Sequence, residues 1–597
     1  MENKYLTLVS ILDNLRLEAP AHFTKYHAKT GPALDEARAR AYIHLFLKVR
    51  FGILDFNMRE KFVTDESQDG GIDAYYKDES TKIFYFIQSK FRTTADNFEE
   101  KSISLEELLK MDLARITSGE TENEAGISYN GKIKALIRTI ATTADISEWE
   151  YKVIVLANLS SRYSKTKIQK LLDDFTYEVF DYRKSYTDLV FPVIAGTYYS
   201  APDFYVDINV TSDAALSRIK YNVIAEDLSC EITILFAPTS EMGRIMSTYK
   251  NTILMFNPRS YLTLSKNKVN KEIRSTIVDR QSNEFSLFNN GITILSDELN
   301  VKDRIGKKGK GQLHLKNPQI INGGQTAYTL SQIYEKDSTS TFFVNKEVLL
   351  KIIKLNSGDP KKLKLVKAIS RATNLQTPVD EADRRANDPI QIKLQSTIFN
   401  DFGMFYERKK GEFFDGENRK YISNQNIVNR DVFIRACYAI SGRPDIARAK
   451  ASKQLFEETA HDELFRELKR KGFDHLYMML GYKIFNNLLS IEKINRKNKN
   501  SVYGSALRYG KYAVVYAAVN TMKSLVSVAS IDQDAIENSE RLLKRWNKFE
   551  TFAVKRRTNK AYFKSKPQTG GGFEQDFDNY YKVSNIIADM DTFFKIR

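Results

Sequence analysis

A mixed α/β fold divided among several domains is what this sequence predicts, and three observations predict it. The chain has 597 residues, more than one hydrophobic core supports. From about residue 30 to about 210, segments with helical periodicity alternate with short runs of β-branched and aromatic residues bounded by turn signals. From about residue 446 onward the strand signals fade and Leu, Phe, Tyr and Lys recur at helical spacing. The boundaries that follow are 1–215 for an α/β domain, 216–445 for a mixed α/β region punctuated by Asn and Gly, and 446–597 for a helical C-terminal region.

The first helix is expected over 34–50, with Gly31-Pro32 before it and Gly52 after it. Two strands follow, 72–77 and 82–91, joined by the polar turn Asp78-Glu79-Ser80-Thr81. Helices are expected over 105–116 and 132–142, then a strand over 152–159. An amphipathic helix over 165–179 and an apolar strand over 189–195 complete the first domain. In the middle region, Asn289-Asn290-Gly291 and Asn322-Gly323-Gly324 are the densest turn signals, with a basic glycine loop at 306–311 between them. Near the end, 569–572 reads as a flexible break.

Composition narrows the function classes. Hydrophobic residues at 42% and charged residues at 28% are those of a globular protein. Lys and Arg number 91 against 75 Asp and Glu, a net charge of +16 that favours contact with a polyanion without naming one. Two distant cysteines, Cys230 and Cys437, build neither a disulfide framework nor a zinc cluster, so a cytosolic redox context is expected. The first twenty residues lack the apolar core of a signal peptide, and no apolar run reaches membrane-spanning length. A soluble cytoplasmic protein without a membrane partner is expected. The six histidines show no trusted metal-ligand spacing, and no phosphate-cradling glycine loop is present. Lys555-Arg556-Arg557 near Trp546, Phe549 and Phe552 mixes cations with aromatics as nucleic-acid surfaces do; an amphipathic helix with its aromatics turned inward explains it equally well.

The strongest chemical signal is Asp69-Gly70-Gly71-Ile72-Asp73 followed by Gln88-Ser89-Lys90. The glycines permit a tight turn, after which Asp73 leads into one strand. Side chains alternate along the next strand, so Gln88 and Lys90 share a face. Asp73 offers a charged oxygen and Gln88 a neutral carbonyl oxygen, a donor set suited to Mg²⁺ or Mn²⁺. Lys90 is placed to orient water or to stabilise charge on a phosphate. Glu36, on a helical stripe with Arg40, Ile43 and Leu47, is the candidate second carboxylate, and its neighbour Asp35 lies on an equally apolar stripe. The expected catalytic set is Asp73, Gln88, Lys90 and Glu36, with Asp73, Gln88 and Glu36 at the metal.

At these residues the chain resembles the Mrr-like branch of the PD-(D/E)xK, restriction-endonuclease-like superfamily. Gly70-Gly71-Ile72-Asp73 and Gln88-Ser89-Lys90 carry that resemblance. It implies a nuclease domain in which Asp73 and Gln88 hold the metal, Lys90 is the catalytic lysine and Glu36 is the helix carboxylate. Gln88 stands where the superfamily more often has an acid.

In the middle region, Asn257-Pro258-Arg259-Ser260-Tyr261-Leu262, Asn289-Asn290-Gly291-Ile292-Thr293 and Gln319-Ile320-Ile321-Asn322-Gly323-Gly324-Gln325-Thr326 follow in order. Ser370-Arg371-Ala372-Thr373-Asn374-Leu375-Gln376 and Phe405-Tyr406-Glu407-Arg408-Lys409 come after them. Amides donate and accept without charge, so these residues either read nucleic acid or knit turns, and turn-knitting is the commoner role. Together the five segments, spanning roughly 225–445, resemble the AIPR family of abortive infection and phage resistance proteins. The expected nucleic-acid contacts are Arg259, Asn290, Asn322, Gln325, Lys307 and Lys308. The combined expectation is a metal-dependent endonuclease of anti-phage defence. DNA is the preferred substrate with RNA open, and a homodimer is expected. The alternative is a nucleic-acid-binding or sensor protein with a vestigial nuclease fold.

Overall fold

Helix α2 (Gly31–Phe51) starts with Pro32 in its first turn and stops at Gly52, whose left-handed φ of 68° lets its N–H return to the Lys48 carbonyl. Residues 41–47 are buried without interruption, so this helix is enclosed on every side. Helix α1 (Glu2–Arg16) lies along it. A computed structural model gives this arrangement and describes residues 2–79, 81–197, 203–209, 218–225, 228–257, 268–303, 305–306, 308–337, 341–355, 365–366, 368–369, 372, 381–495, 503–522, 525–567 and 573–596. The chain is a mixed α/β protein with several small sheets. It divides into two units: Met1–Thr373 with Gly411–Asn424, and Asn374–Lys410 with Gln425–Arg597.

The first sheet of the first unit has strand order β1-β2-β3-β4: β1 (Ala74–Asp78), β2 (Ile83–Ser89), β3 (Glu150–Leu156) and β4 (Thr176–Val179). β1 and β2 form an antiparallel hairpin in register from Ala74–Ile87 to Asp78–Ile83. β2, β3 and β4 run parallel, which requires the long crossover through residues 90–149. One face of the sheet packs Tyr75, Phe84, Phe86, Val153 and Val155 against Ile133, Leu136 and Ile140 of the crossover. On the other, Phe51 of α2 stacks on Tyr76 at 4.2 Å between ring centres.

Three elements differ from the sequence expectation. The helix over 165–179 ends at Leu171, because Asp173 and Asp174 take left-handed φ of 50° and 61°, and Thr176–Val179 then forms the edge strand. The apolar run 189–195 is helical: a π-turn, Tyr186–Val190, leads into Phe191–Ala195 with Pro192 in its first turn. A short run buried on all sides does not reveal whether it is strand or helix. The helix over 105–116 is two pieces, Leu105–Leu109 and Leu113–Thr117, because the Asp112 N–H donates to the Gly70 carbonyl.

A five-stranded sheet follows, in the order Gln319–Asn322, Ile292–Ser296, Glu347–Lys354, Leu228–Pro238, Arg218–Ala225. Its one parallel pairing joins Ile292–Ser296 to Glu347–Lys354. Asp203–Asn209, Lys310–Lys316 and Glu298–Lys302 make a three-stranded sheet. The two asparagine–glycine turns abut. Asn289 Oδ1 accepts the Gly291 N–H at 2.9 Å, and Asn322 Oδ1 accepts the Gly323 N–H at 2.7 Å. A Cβ on Gly323 would stand 2.5 Å from the Gly291 carbonyl oxygen.

The second unit is mainly helical. Arg430–Ile440, His475–Asn495, Lys511–Asn520 and Ile531–Lys555 enclose one core. Trp546 and Phe549 are fully buried in it, so the aromatics near the late basic cluster face inward, and Arg556 pairs with Asp589 at 2.7 Å. Around the expected break, Lys564–Pro567 and Phe573–Asp576 pair as a hairpin, while 568–572 lies outside the described residues. Both cysteines are free and buried. Among the described residues no helix is long and apolar enough to cross a membrane.

Gly126 also has positive φ, 73°, but nothing lies within 4 Å of a Cβ there. Gly126→Ala should therefore cost about 1 kcal/mol of left-handed strain alone. Gly323→Ala adds a backbone collision and should lower the melting temperature further. Equal losses would show that the two asparagine–glycine turns do not abut.

Candidate functional site

The turn before β1 is held from two sides. Gly70 and Gly71 take φ of 61° and 72°, and a Cβ on Gly71 would lie 2.5 Å from the Lys110 carbonyl oxygen. The Asp69 carboxylate accepts the Gly71 N–H at 2.8 Å and so caps the turn from within. Residues 63–65 run beside the start of β1. The N–H groups of Thr64 and Asp65 donate to the Asp73 carbonyl at 2.8 and 3.1 Å, and the Thr64 hydroxyl donates to the Ile72 carbonyl. This stitching brings Asp65 alongside Asp73. Asp65, Asp69 and Asp73 each present a carboxylate oxygen within 4.8 Å of the other two.

The strand ends complete the site. The Asp73 carboxylate accepts the Ser89 N–H at 2.6 Å. One step beyond the Ala74–Ile87 pair, Asp73 stands across from Gln88, and both side chains leave the sheet face that carries Tyr75 and Phe86. Gln88 is only 8% exposed. Its amide donates to the Glu107 carbonyl at 2.7 Å, while its Oε1 has no hydrogen-bond partner among the described residues. Lys90 reaches the Glu107 carboxylate at 2.6 Å. Gln88 and Lys90 therefore share a face and meet the same residue, as strand alternation requires.

Glu107 was not found from the sequence, although its local motif is there. Ser104-Leu105-Glu106-Glu107 forms a capping box, with the Ser104 N–H on the Glu107 carboxylate at 3.0 Å and the Glu107 N–H on the Ser104 hydroxyl at 3.2 Å. Nothing in that motif tells that the same carboxylate also binds Lys90. Asp65 was missed too. Its signal was the recurrence of Asp at 65, 69 and 73 around the glycine pair. Glu36 is placed differently: its side chain is 71% exposed and lies 4.0 Å from Arg40, whose Nε pairs with Asp65 at 3.1 Å. It thus touches the acidic group through Arg40.

Behind the site, Glu60 binds Tyr26, His44 and Lys25. Burial works against its charge, but these bonds hold its carboxyl down to about 2. His44 is a core residue of this network, its pKa lowered chiefly by burial.

In the middle region Asn290 and Lys308 are exposed and Asn322 and Gln325 are half-buried. Asn322 is spent on its own turn, and the Gln325 carbonyl takes the Thr329 hydroxyl at 3.0 Å within the helix Gly324–Lys336. Asn289 bridges to Thr326 at 3.0 Å. Arg259 and Lys307 lie outside the described residues, as does most of 370–376. Asn289 and Asn322 each close their own turn.

The acids repel one another. Burial first, then the charges of Asp65 and Asp69, push Asp73 up to about 8; burial and Asp65 push Asp69 up to about 6. Burial disfavours the Glu107 charge, yet the hydrogen bonds from Lys90 and Ser104 hold its carboxyl below the ordinary value. With its folded pKa raised, Asp73 binds its proton more tightly in the folded than in the unfolded chain. In metal-free protein its contribution to stability therefore falls as pH rises from about 4 to about 8. Asp73→Asn should flatten that fall, read as a smaller melting-temperature difference between pH 5 and pH 8 in EDTA. An unchanged difference would refute the burial of this carboxylate.

No curated protein and no solved structure matches the chain. The AIPR protein family model matches residues 254–562, just over half of the sequence, and extends beyond the asparagine-rich region through most of the C-terminal helices. The chain belongs to the AIPR family, which suggests a place in abortive infection and phage defence.

Proposed function

We propose that this protein is a metal-dependent phosphodiester hydrolase of phage defence, with DNA as its preferred substrate. The observation that carries the reading is the meeting of Asp73, Gln88 and Lys90 at one end of the β1–β2 hairpin. The likeness of these residues to the restriction-endonuclease-like pattern supports it, as does a net charge of +16. The donor set fits a hard cation: Asp73 is a carboxylate, and the Gln88 Oε1 is a buried oxygen without a hydrogen-bond partner among the described residues. Asp73 and Gln88 would hold Mg²⁺ or Mn²⁺. When bound, such a cation supplies Lewis-acid stabilisation of charge on the phosphate oxygens.

The protein's own groups do the rest. Lys90 donates hydrogen bonds to the scissile phosphate or its attacking water and stabilises the charge that builds in the transition state. The Ser89 N–H keeps the Asp73 carboxylate in place. The AIPR-family region binds nucleic acid or senses the trigger. A dimer would bring two such sites to the two strands of a duplex, since one site cuts one strand at a time.

One observation favours a second reading, a binding or sensor protein with a vestigial nuclease fold. Lys90 is already paired with Glu107, and Gln88 brings no charge. Nuclease assays on DNA and RNA, with Mg²⁺ or with EDTA, separate the two. Wild type should cut with Mg²⁺ and stop with EDTA, and Lys90→Ala should lose about a hundredfold or more in rate. Equal cutting by wild type and Lys90→Ala would remove the site assignment. Absence of cutting by either, with phage-infected extract as the trigger, would favour the vestigial reading.

A further inference from the structure

We infer that Asp65 and Asp69 are ligands, together with Asp73 and the Gln88 Oε1, of a single divalent cation, so that the acids offsetting the neutral Gln88 come from the turn itself and not from the helix residue Glu36. The inference rests on the proposed reading only for where the reactive end of the sheet lies. Its observations are the three carboxylates and the buried amide oxygen.

The carboxylates are close enough for one ion. Around a cation with metal–oxygen bonds of about 2.1 Å, opposite ligands lie about 4.2 Å apart and adjacent ones about 3 Å. The three aspartate oxygens fall within 4.8 Å of one another, so a small contraction closes them on an ion. Each acid is also held in place: Asp65 by Arg40 at 3.1 Å, Asp69 by the Gly71 N–H at 2.8 Å, and Asp73 by the Ser89 N–H at 2.6 Å. Such supporting bonds orient metal ligands and fix which oxygen faces the ion.

An acidic cluster alone is no site, and Gln88 supplies the independent sign. A buried amide oxygen left without a hydrogen bond is costly, and native structures seldom leave one without a reason. The Gln88 amide nitrogen is fixed on the Glu107 carbonyl, which settles the orientation of the other end. That end leaves the same sheet face as Asp73, its neighbour across the hairpin. The residues that follow Glu107 pack on the turn, since the Asp112 N–H binds the Gly70 carbonyl and the Lys110 carbonyl rests on Gly71. The unpartnered oxygen thus belongs to the side chain that stands across the hairpin from Asp73, on the same sheet face. Three carboxylates and one amide carbonyl form an all-oxygen set, which selects Mg²⁺ or Mn²⁺ over softer metals.

Glu36 fits this ligand set poorly, as it is largely exposed and 4.0 Å from Arg40. Arg40 in turn belongs to the site as the counter-charge on Asp65.

The test is calorimetric titration of the full chain with Mn²⁺ alone, with no nucleic acid and no requirement for cleavage. Wild type should bind one Mn²⁺ at this site. Asp65→Asn and Asp69→Asn should each weaken binding about tenfold or more. Glu106→Gln, an exposed neighbour, should bind as wild type does. Melting curves guard against misfolding: Mn²⁺ should raise the melting temperature of wild type, and the rise should shrink in Asp65→Asn, in Asp69→Asn and in Gln88→Leu, so a variant that fails to fold leaves two others to decide. Wild-type affinity in both aspartate variants, or a loss that follows Glu36→Gln instead, would overturn the inference. A wild type that binds no Mn²⁺ would overturn it as well. Mn²⁺ binding that depends on Asp65 and Asp69 without any cleavage would leave the inference standing and remove the nuclease reading. Metal-dependent cleavage with unchanged affinity in both aspartate variants would do the reverse.

Discussion

The absence of space for a side chain at Gly71 is the constraint on which the acidic end of the first sheet depends. The Lys110 carbonyl occupies the volume a Cβ would need, and the backbone there is left-handed. Only glycine satisfies both conditions. Because the chain turns so tightly, Asp69 can cap the turn and Asp73 can still begin the hairpin opposite Gln88. A wider turn would separate the two carboxylates and expose Ile72, which is now fully buried. A local steric rule thus decides the distance between charged groups that the unfolded chain would keep apart.

The same logic recurs in the family-defining region, with a different outcome. Gly291 and Gly323 allow two asparagine turns to press on each other, and the asparagine side chains close their own turns. In the first sheet a glycine turn gathers groups whose charges conflict. In the five-stranded sheet it gathers groups that satisfy one another. Unresolved electrostatics makes the first place the candidate site, while at the second the hydrogen bonds close the two turns.

Much of this was legible in the sequence, and the failures have physical causes. The helix over 34–50, the two strands of the hairpin and the strand over 152–159 appear close to their expected bounds, because each carries its own periodicity and its own turn residues. The run 189–195 misled because a segment buried on all sides has no polar face to betray its period. The helix over 165–179 misled because two aspartates adopted left-handed backbone that their neighbours did not announce. Asp73, Gln88 and Lys90 were legible from alternation and order. Glu107 and Asp65 were not, since their roles arise from partners far along the chain: Lys90 lies 17 positions before Glu107, and Arg40 lies 25 before Asp65.

The reach of Glu107 has a mechanical consequence. Its carboxylate grips Lys90, its backbone carbonyl grips Gln88, and three to five residues on, Lys110 and Asp112 lean on the glycine turn. The stretch from Ser104 to Asp112 is therefore a crossbar tied to Lys90, Gln88 and the glycine turn. A displacement of this stretch would act on the amine, the amide and the turn together.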